Sequence, residues 1–241
     1  MTSFSEKSYG ARFHNAQNIL TYVESFPGYS SPDLNESPAE FAALLDSIAE
    51  ANGIESELKQ QYRAAVHARK EGFRGEGTSI LRLLPMIRAA VVAKFGKDSQ
   101  EYEAVSSIIN RIYSTKLTPP PPADPTATPG SDPQQGISRS QQSYGSMLGY
   151  FRDLISTLGQ LSGYAPSNAL LTVTSLNAFA DSLDALNKAV AQRSQSLQKQ
   201  RKERLALYED MATRVQKIKA YVKAQYGQKS QQFGAVKGVV V

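Results

Sequence analysis

Cysteine and tryptophan are absent from the 241 residues, and histidine occurs only twice, at His14 and His67. The first absence excludes thiol catalysis, disulfides and thiolate-held metals. The scarcity of histidine means that a hydrolytic triad or an imidazole metal cage would have to be built around one of two side chains, each needing partners nearby in space. Also missing is any apolar run approaching the roughly 18 residues of a membrane span. The opening MTSFSEKSYGAR has neither the basic start nor the apolar stretch of a secretory signal. These absences lead us to expect a cytoplasmic chain without a membrane span, and the lack of cysteine agrees with a reducing compartment.

What is present is an ordinary globular balance, 41% hydrophobic and 20% charged residues, in a length that suits one or two domains. Laid on itself at an offset of 135, the chain matches Ser8-Tyr9-Gly10 to Ser143-Tyr144-Gly145, Gly28-Tyr29 to Gly163-Tyr164, Asp46-Ser47 to Asp181-Ser182 and Asn52 to Asn187. Further along the offset becomes 131, where Ile87, Val91, Gly96, Ser99 and Val105 meet Ile218, Val222, Gly227, Ser230 and Val236. A register held over some forty residues points to an internal duplication. Between the copies lies a proline-rich stretch, Leu117 to Gly136, in which proline removes amide donors and fixes backbone angles. We read it as a spacer; Pro119 to Pro122 could alternatively serve as a ligand for a groove-binding domain. The predicted organisation is therefore residues 1–116 as a first helical bundle repeat, 117–142 as linker and 143–241 as a second, basic repeat.

Each copy carries apolar residues at helical spacing. In the first, Phe13, Ala16, Ile19, Leu20, Val23 and Phe26 form one stripe, ended by Pro27-Gly28. Ser37-Pro38-Ala39-Glu40 has the form of a capping box with proline at the first helical position. It opens a helix bearing Phe41, Leu44, Ile48, Ala51, Leu58, Tyr62 and Ala65. Nothing alternates with period two, so the fold class is all-α: two tandem antiparallel helical-bundle repeats, each with three long helices and a short one. In the second copy no glycine or proline occurs from Asn168 to Tyr226, but the apolar stripe lapses at Gln200, Arg201 and Arg204 and resumes out of phase at Leu205 and Tyr208. The sequence predicts a hairpin or sharp kink near residues 198–207. Pro85 is expected to kink the third helix or delay its start.

The candidate chemical motifs fail on their own terms. Gly72 to Ser79 approaches a phosphate-binding loop, but Thr78 stands at the lysine position and no strand precedes it. Asp33-Leu34-Asn35-Glu36-Ser37 starts like a calcium loop, yet Pro38 replaces the glycine and Leu44 the final glutamate. The Glu-x-x-His pairs of di-iron bundles are absent. Asp46 and Asp181 could be paired acids, or could make helix-to-helix hydrogen bonds, the reading we favour.

The net charge of +5 is one-sided: residues 1–116 hold 13 basic and 14 acidic residues, residues 143–241 hold 13 and 6. The second copy's cations surround their helices instead of forming a stripe, which suits solvated helices with snorkelling stems. The exception is the predicted hairpin tip, where Lys199, Arg201, Lys202 and Arg204 form a candidate partner-binding basic patch. No convergent catalytic set emerges. The sequence-level expectation is a non-enzymatic scaffold or protein-interaction module, without cofactor or metal, that binds a protein partner or assembles with itself. The alternative is nucleic-acid or polyanion binding through the basic second repeat.

Overall fold

The computed structural model describes residues 8–115 and 139–241. The stretch containing Pro119 to Pro122, and with it most of the predicted linker, lies outside the described residues. Those residues are all-α, with no strand among them: α1 (Tyr9–Ser25), α2 (Pro38–Arg74), α3 (Ile80–Phe95), α4 (Gln100–Ser114), α5 (Arg139–Gln160), α6 (Val173–Tyr226) and α7 (Gln231–Lys237). Single turns of 3-10 helix, Leu34–Glu36 and Ala169–Leu171, precede α2 and α6. α5 begins inside the stretch assigned to the linker.

Local chemistry explains most boundaries. The Ser8 hydroxyl accepts from the Ala11 amide to start α1, and Ser37 accepts from the Glu40 amide at 3.3 Å to start α2 with Pro38 in first place, as the capping box predicts. Ser99 and Ser230 cap α4 and α7 by accepting from the Tyr102 and Phe233 amides. α3 ends on Gly96 with φ 89° and ψ 161°, an extended conformation of positive φ that glycine tolerates and other residues rarely adopt. Pro85 sits inside α3, which nevertheless starts at Ile80; the late start is not found.

The hairpin predicted at residues 198–207 does not form. α6 is helical over 54 residues, from Val173 to Tyr226. With neither glycine nor proline to end it, the helix runs through its polar interval, and the polar side chains there find partners on α2: Gln200 reaches the Ala51 carbonyl, and Arg201 and Arg204 reach Glu55. The second half therefore holds two long helices and one short one. α2 does break, at Gly75-Glu76-Gly77-Thr78.

Two compact units result, and they do not follow the sequence halves. One takes Met1–Gln60, described from residue 8, together with Gln195–Val241; the other takes Gln61–Ser194. The first unit buries Ala16, Ile19 and Val23 of α1 and Phe41, Leu44 and Ile48 of α2 against Met211, Val215, Ile218 and Val222 of α6. Each of these side chains except Ala16 contributes about 1.5–3 kcal/mol on leaving water. Its core is closed by Val236 of α7, which packs along α1. The second unit buries Ile80, Leu84, Ile87 and Val91 of α3 with Val105 and Ile109 of α4, Phe151 and Leu154 of α5, and Leu176 and Leu183 of α6. Here α4 packs on both α3 and α5.

The α2 break depends on glycine. A Cβ built at Gly75 would lie 2.5 Å from the Glu71 carbonyl oxygen and 2.9 Å from its Cα, contacts only a backbone shift can relieve. Gly75→Ala is expected to cost about 1–3 kcal/mol, read as a lower urea midpoint at unchanged slope.

Candidate functional site

The polar side chains of the first unit concentrate in two places, both where α6 meets elements from the other end of the chain. At the first, Glu55 of α2 is buried and receives Arg201 Nε at 3.2 Å and the Arg204 guanidinium. The guanidinium carbon of Arg204 also lies 4.2 Å from the Tyr9 ring centre, within range of a cation–π contact. Tyr9 packs edge-on against the fully buried Tyr208, whose hydroxyl donates to the Tyr9 carbonyl and accepts from the Asn52 side-chain amide, both at 3.1 Å. Arg12 adds a second guanidinium, 5.3 Å from the Tyr208 ring. Three guanidinium groups, of Arg12, Arg201 and Arg204, thus gather around one buried carboxylate and two aromatic faces, with Arg201 still half exposed.

At the second place Glu36 is 1% exposed, with its carboxylate 3.1 Å from the half-exposed Lys217 ammonium of α6. Asp33 approaches the same ammonium at 3.7 Å, and Arg214 donates to the Asn35 carbonyl at 2.9 Å. The Tyr29 hydroxyl donates to the Glu36 carbonyl. Burial, reinforced by the Glu36 charge, pushes the Tyr29 phenol up to about 12. Lys217 is raised by its hydrogen bond and attraction to Glu36, whereas burial lowers Lys219.

The predicted basic patch is dispersed among these pairings. Arg204 is mostly buried and Arg201 half exposed, both on Glu55. Lys199 is exposed and pairs loosely with Glu203 on its own helix at 3.7 Å; Lys202 is exposed. The structure brings Arg201 and Arg204 together, but onto an acid rather than onto open surface. His14, His67, Asp46 and Asp181 are all exposed. Asp181 accepts from Arg152 of α5 at 3.2 Å, a bond between helices as favoured from sequence, while Ser47 and Ser182 bond back to carbonyls of their own helices. Among the described residues no three potential ligands gather to hold a metal ion, and no helix is long and apolar enough to cross a membrane.

Sequence reasoning missed Glu36, Glu55 and Lys217. A signal for the two acids existed: at the offset of 135 they fall on Leu171 and Val190, so they are charges at places where the other half carries apolar residues.

In the second unit, α3 and α4 border an open groove of about 450 Å³ that includes Pro85, Ala89, Val92, Tyr102 and Tyr113 with Arg88 and Lys97. Its walls are mostly apolar and carry no facing acid and base pair suited to proton transfer. No known family profile, characterised protein or solved structure is significantly similar to the chain.

Two outcomes follow from the polar clusters. Glu55→Gln, which leaves Arg204 without a counter-charge, is expected to cost about 2–3 kcal/mol in denaturant unfolding, the low end for an orphaned buried charge because Arg201 can turn to water. The stabilisation that keeps Tyr29 protonated is whole below pH ~10, where a tyrosine in the unfolded chain ionises, and is lost as pH rises toward the folded value of about 12. Lys217, also raised, loses its contribution in the same direction; Lys219, lowered, acts in the opposite one. Melting temperatures from pH ~9 to ~12 should therefore fall less steeply in Tyr29→Phe than in the parent.

Proposed function

We propose that this chain is a non-catalytic, cytoplasmic helical scaffold, formed by a duplicated helical motif whose copies exchange their C-terminal helices, and that it serves as a protein-interaction module. What carries the reading is the employment of its charged groups: four cations of the second half, two of them at the predicted basic patch, are spent on acids and a carbonyl of the first. Arg201 and Arg204 meet Glu55, Lys217 meets Asp33 and Glu36, and Arg214 meets Asn35. Such a surface is poorly suited to tracking phosphates, which calls for clustered cations open to solvent. Polyanion binding is accordingly the weaker reading.

The duplication is supported by geometry at matched positions. Gly28 and Gly163 share positive φ, of 68° and 86°, as do Gly96 and Gly227, of 89° and 92°. The Tyr29 hydroxyl meets the Glu36 carbonyl at 3.2 Å and the Tyr164 hydroxyl meets that of Leu171 at 3.1 Å. Arg204 lies 4.2 Å over Tyr9 beside Tyr208, and Arg69 lies 4.1 Å over Tyr144 beside Phe73. These pairs keep the offset of 135 as far as Phe73 and Tyr208, so the change to 131 falls in the glycine-containing break after α2.

The test is affinity capture from native lysate combined with size measurement and heparin chromatography. A specific protein partner or a defined homo-oligomer, with no heparin retention at physiological salt, is the expected result. A strict monomer that recovers no protein would count against the scaffold. Heparin retention abolished by Arg201→Glu, Lys202→Glu and Arg204→Glu would favour the polyanion reading.

A further inference from the structure

We propose that the two halves of the chain recognise each other as unlike partners, and that the charges buried in the first unit are what forbid pairing of like with like. The inference rests on the duplication reading above. In the first unit the receiving elements, the 3-10 turn before α2 and the first half of α2, contribute the acids Glu36 and Glu55, and the arriving part of α6 contributes Lys217, Arg201 and Arg204. At the matched positions of the second unit the receiving residues are Leu171 and Val190, 4% and 1% exposed. The arriving residues there are Met86, Val66 and Arg69.

The consequence follows from exchanging partners on paper. Two second halves would set Lys217 against Leu171, and Arg201 and Arg204 against Val190, which removes the carboxylates these cations meet, although Lys217 and Arg201, both half exposed, can turn to water. Two first halves would leave the Glu36 carboxylate, 1% exposed here, without Lys217, since Met86 stands at the matched position. Only the unlike combination gives each buried acid a cation, and orphaning one charge of a buried pair is far more costly than leaving the pair out altogether. The selection acts by repulsion of the wrong partner as much as by attraction of the right one. The interaction surface so defined is the face of α6 from Arg201 to Lys217, and the partner it fits is a first half, in its own chain or in another.

The test uses the full chain with a protease site placed between residues 120 and 130, cut after folding. The two fragments should co-elute in non-denaturing size exclusion. After unfolding in urea and dilution, native mass spectrometry should find complexes of one N-terminal with one C-terminal fragment. Like pairs at comparable abundance would overturn the selection while leaving the duplication intact. Failure to reassemble, where the uncut chain refolds, would overturn the recognition itself. In the uncut chain, Glu36→Leu and Lys217→Met should each lower the melting temperature, and the double variant, which removes both charges and installs the residues of the matched positions 171 and 86, should lower it less than either alone; independent effects would overturn the role of the charges. The duplication is read separately: deleting Gly75 to Thr78 should leave a folded protein in which α2 and α3 join as α6 does, and a chain that no longer folds would count against the duplication and so overturn the proposal resting on it.

Discussion

The structure depends on a covering problem. The apolar stripes of α1 and the first half of α2 cannot be buried by each other alone, since two amphipathic helices leave one flank of the seam in water. The helix that closes the seam is the last third of α6, more than 150 residues away in the chain: Met211, Val215, Ile218 and Val222 complete the core begun by Ile19, Phe41 and Ile48. α6, helical over 54 residues, also supplies Leu176 and Leu183 to the other unit, and with neither glycine nor proline in it nothing in its sequence breaks the helix between the two.

A rod that serves two cores must also cross the interval between them, and the composition of that interval decides the electrostatics. Residues 198–204 are polar, yet Arg204 is buried and Leu197 just before it is 5% exposed. An arginine in that position needs a counter-charge, and Glu55 is the residue that α2 offers. Taking both ions out of water gives back much of the Coulombic gain, so the cluster contributes less to net stability than to fixing which helix faces which. The same reasoning covers Glu36: a carboxylate on a turn before α2 is tolerated at 1% exposure because Lys217 reaches it from α6. Part of the charge asymmetry of the two halves is thus consumed inside the chain, where Arg201, Arg204 and Lys217 meet acids of the first half.

The helix starts and their buried faces were legible in the sequence because they are encoded locally. Ser37-Pro38-Ala39-Glu40 specifies a start through groups three residues apart, and the stripe of Phe41, Leu44 and Ile48 gives the inward face by spacing alone. The continuation of α6 was not legible. The lapse of the apolar stripe after Leu197 has the pattern of a helix end, and the fact that reverses the reading, an acid at Glu55, lies 146 residues from Arg201. The basic patch failed for the same reason: clustering in sequence places four cations on one or two turns of helix, but only tertiary packing says that two of them are turned inward. Absence of glycine and proline was the more reliable local signal, since it concerns what the backbone can do and not what the side chains meet.

Arg69 and Arg204 show how far a shared geometry can be kept while its electrostatics change. Each places its guanidinium about 4 Å over a tyrosine ring, Tyr144 or Tyr9, beside a second aromatic, Phe73 or Tyr208. Beside Arg204 stands Glu55, whose match at the offset of 135 is Val190, and burial lowers Arg69 from the ordinary arginine range. Even so lowered, an arginine stays charged at neutral pH, and the face of the Tyr144 ring helps to hold it. Under the duplication proposed above, the stacked tyrosine is the feature that the two arginine sites share: in each unit an aromatic face holds the guanidinium, and the polar neighbours around it can differ without disturbing that packing.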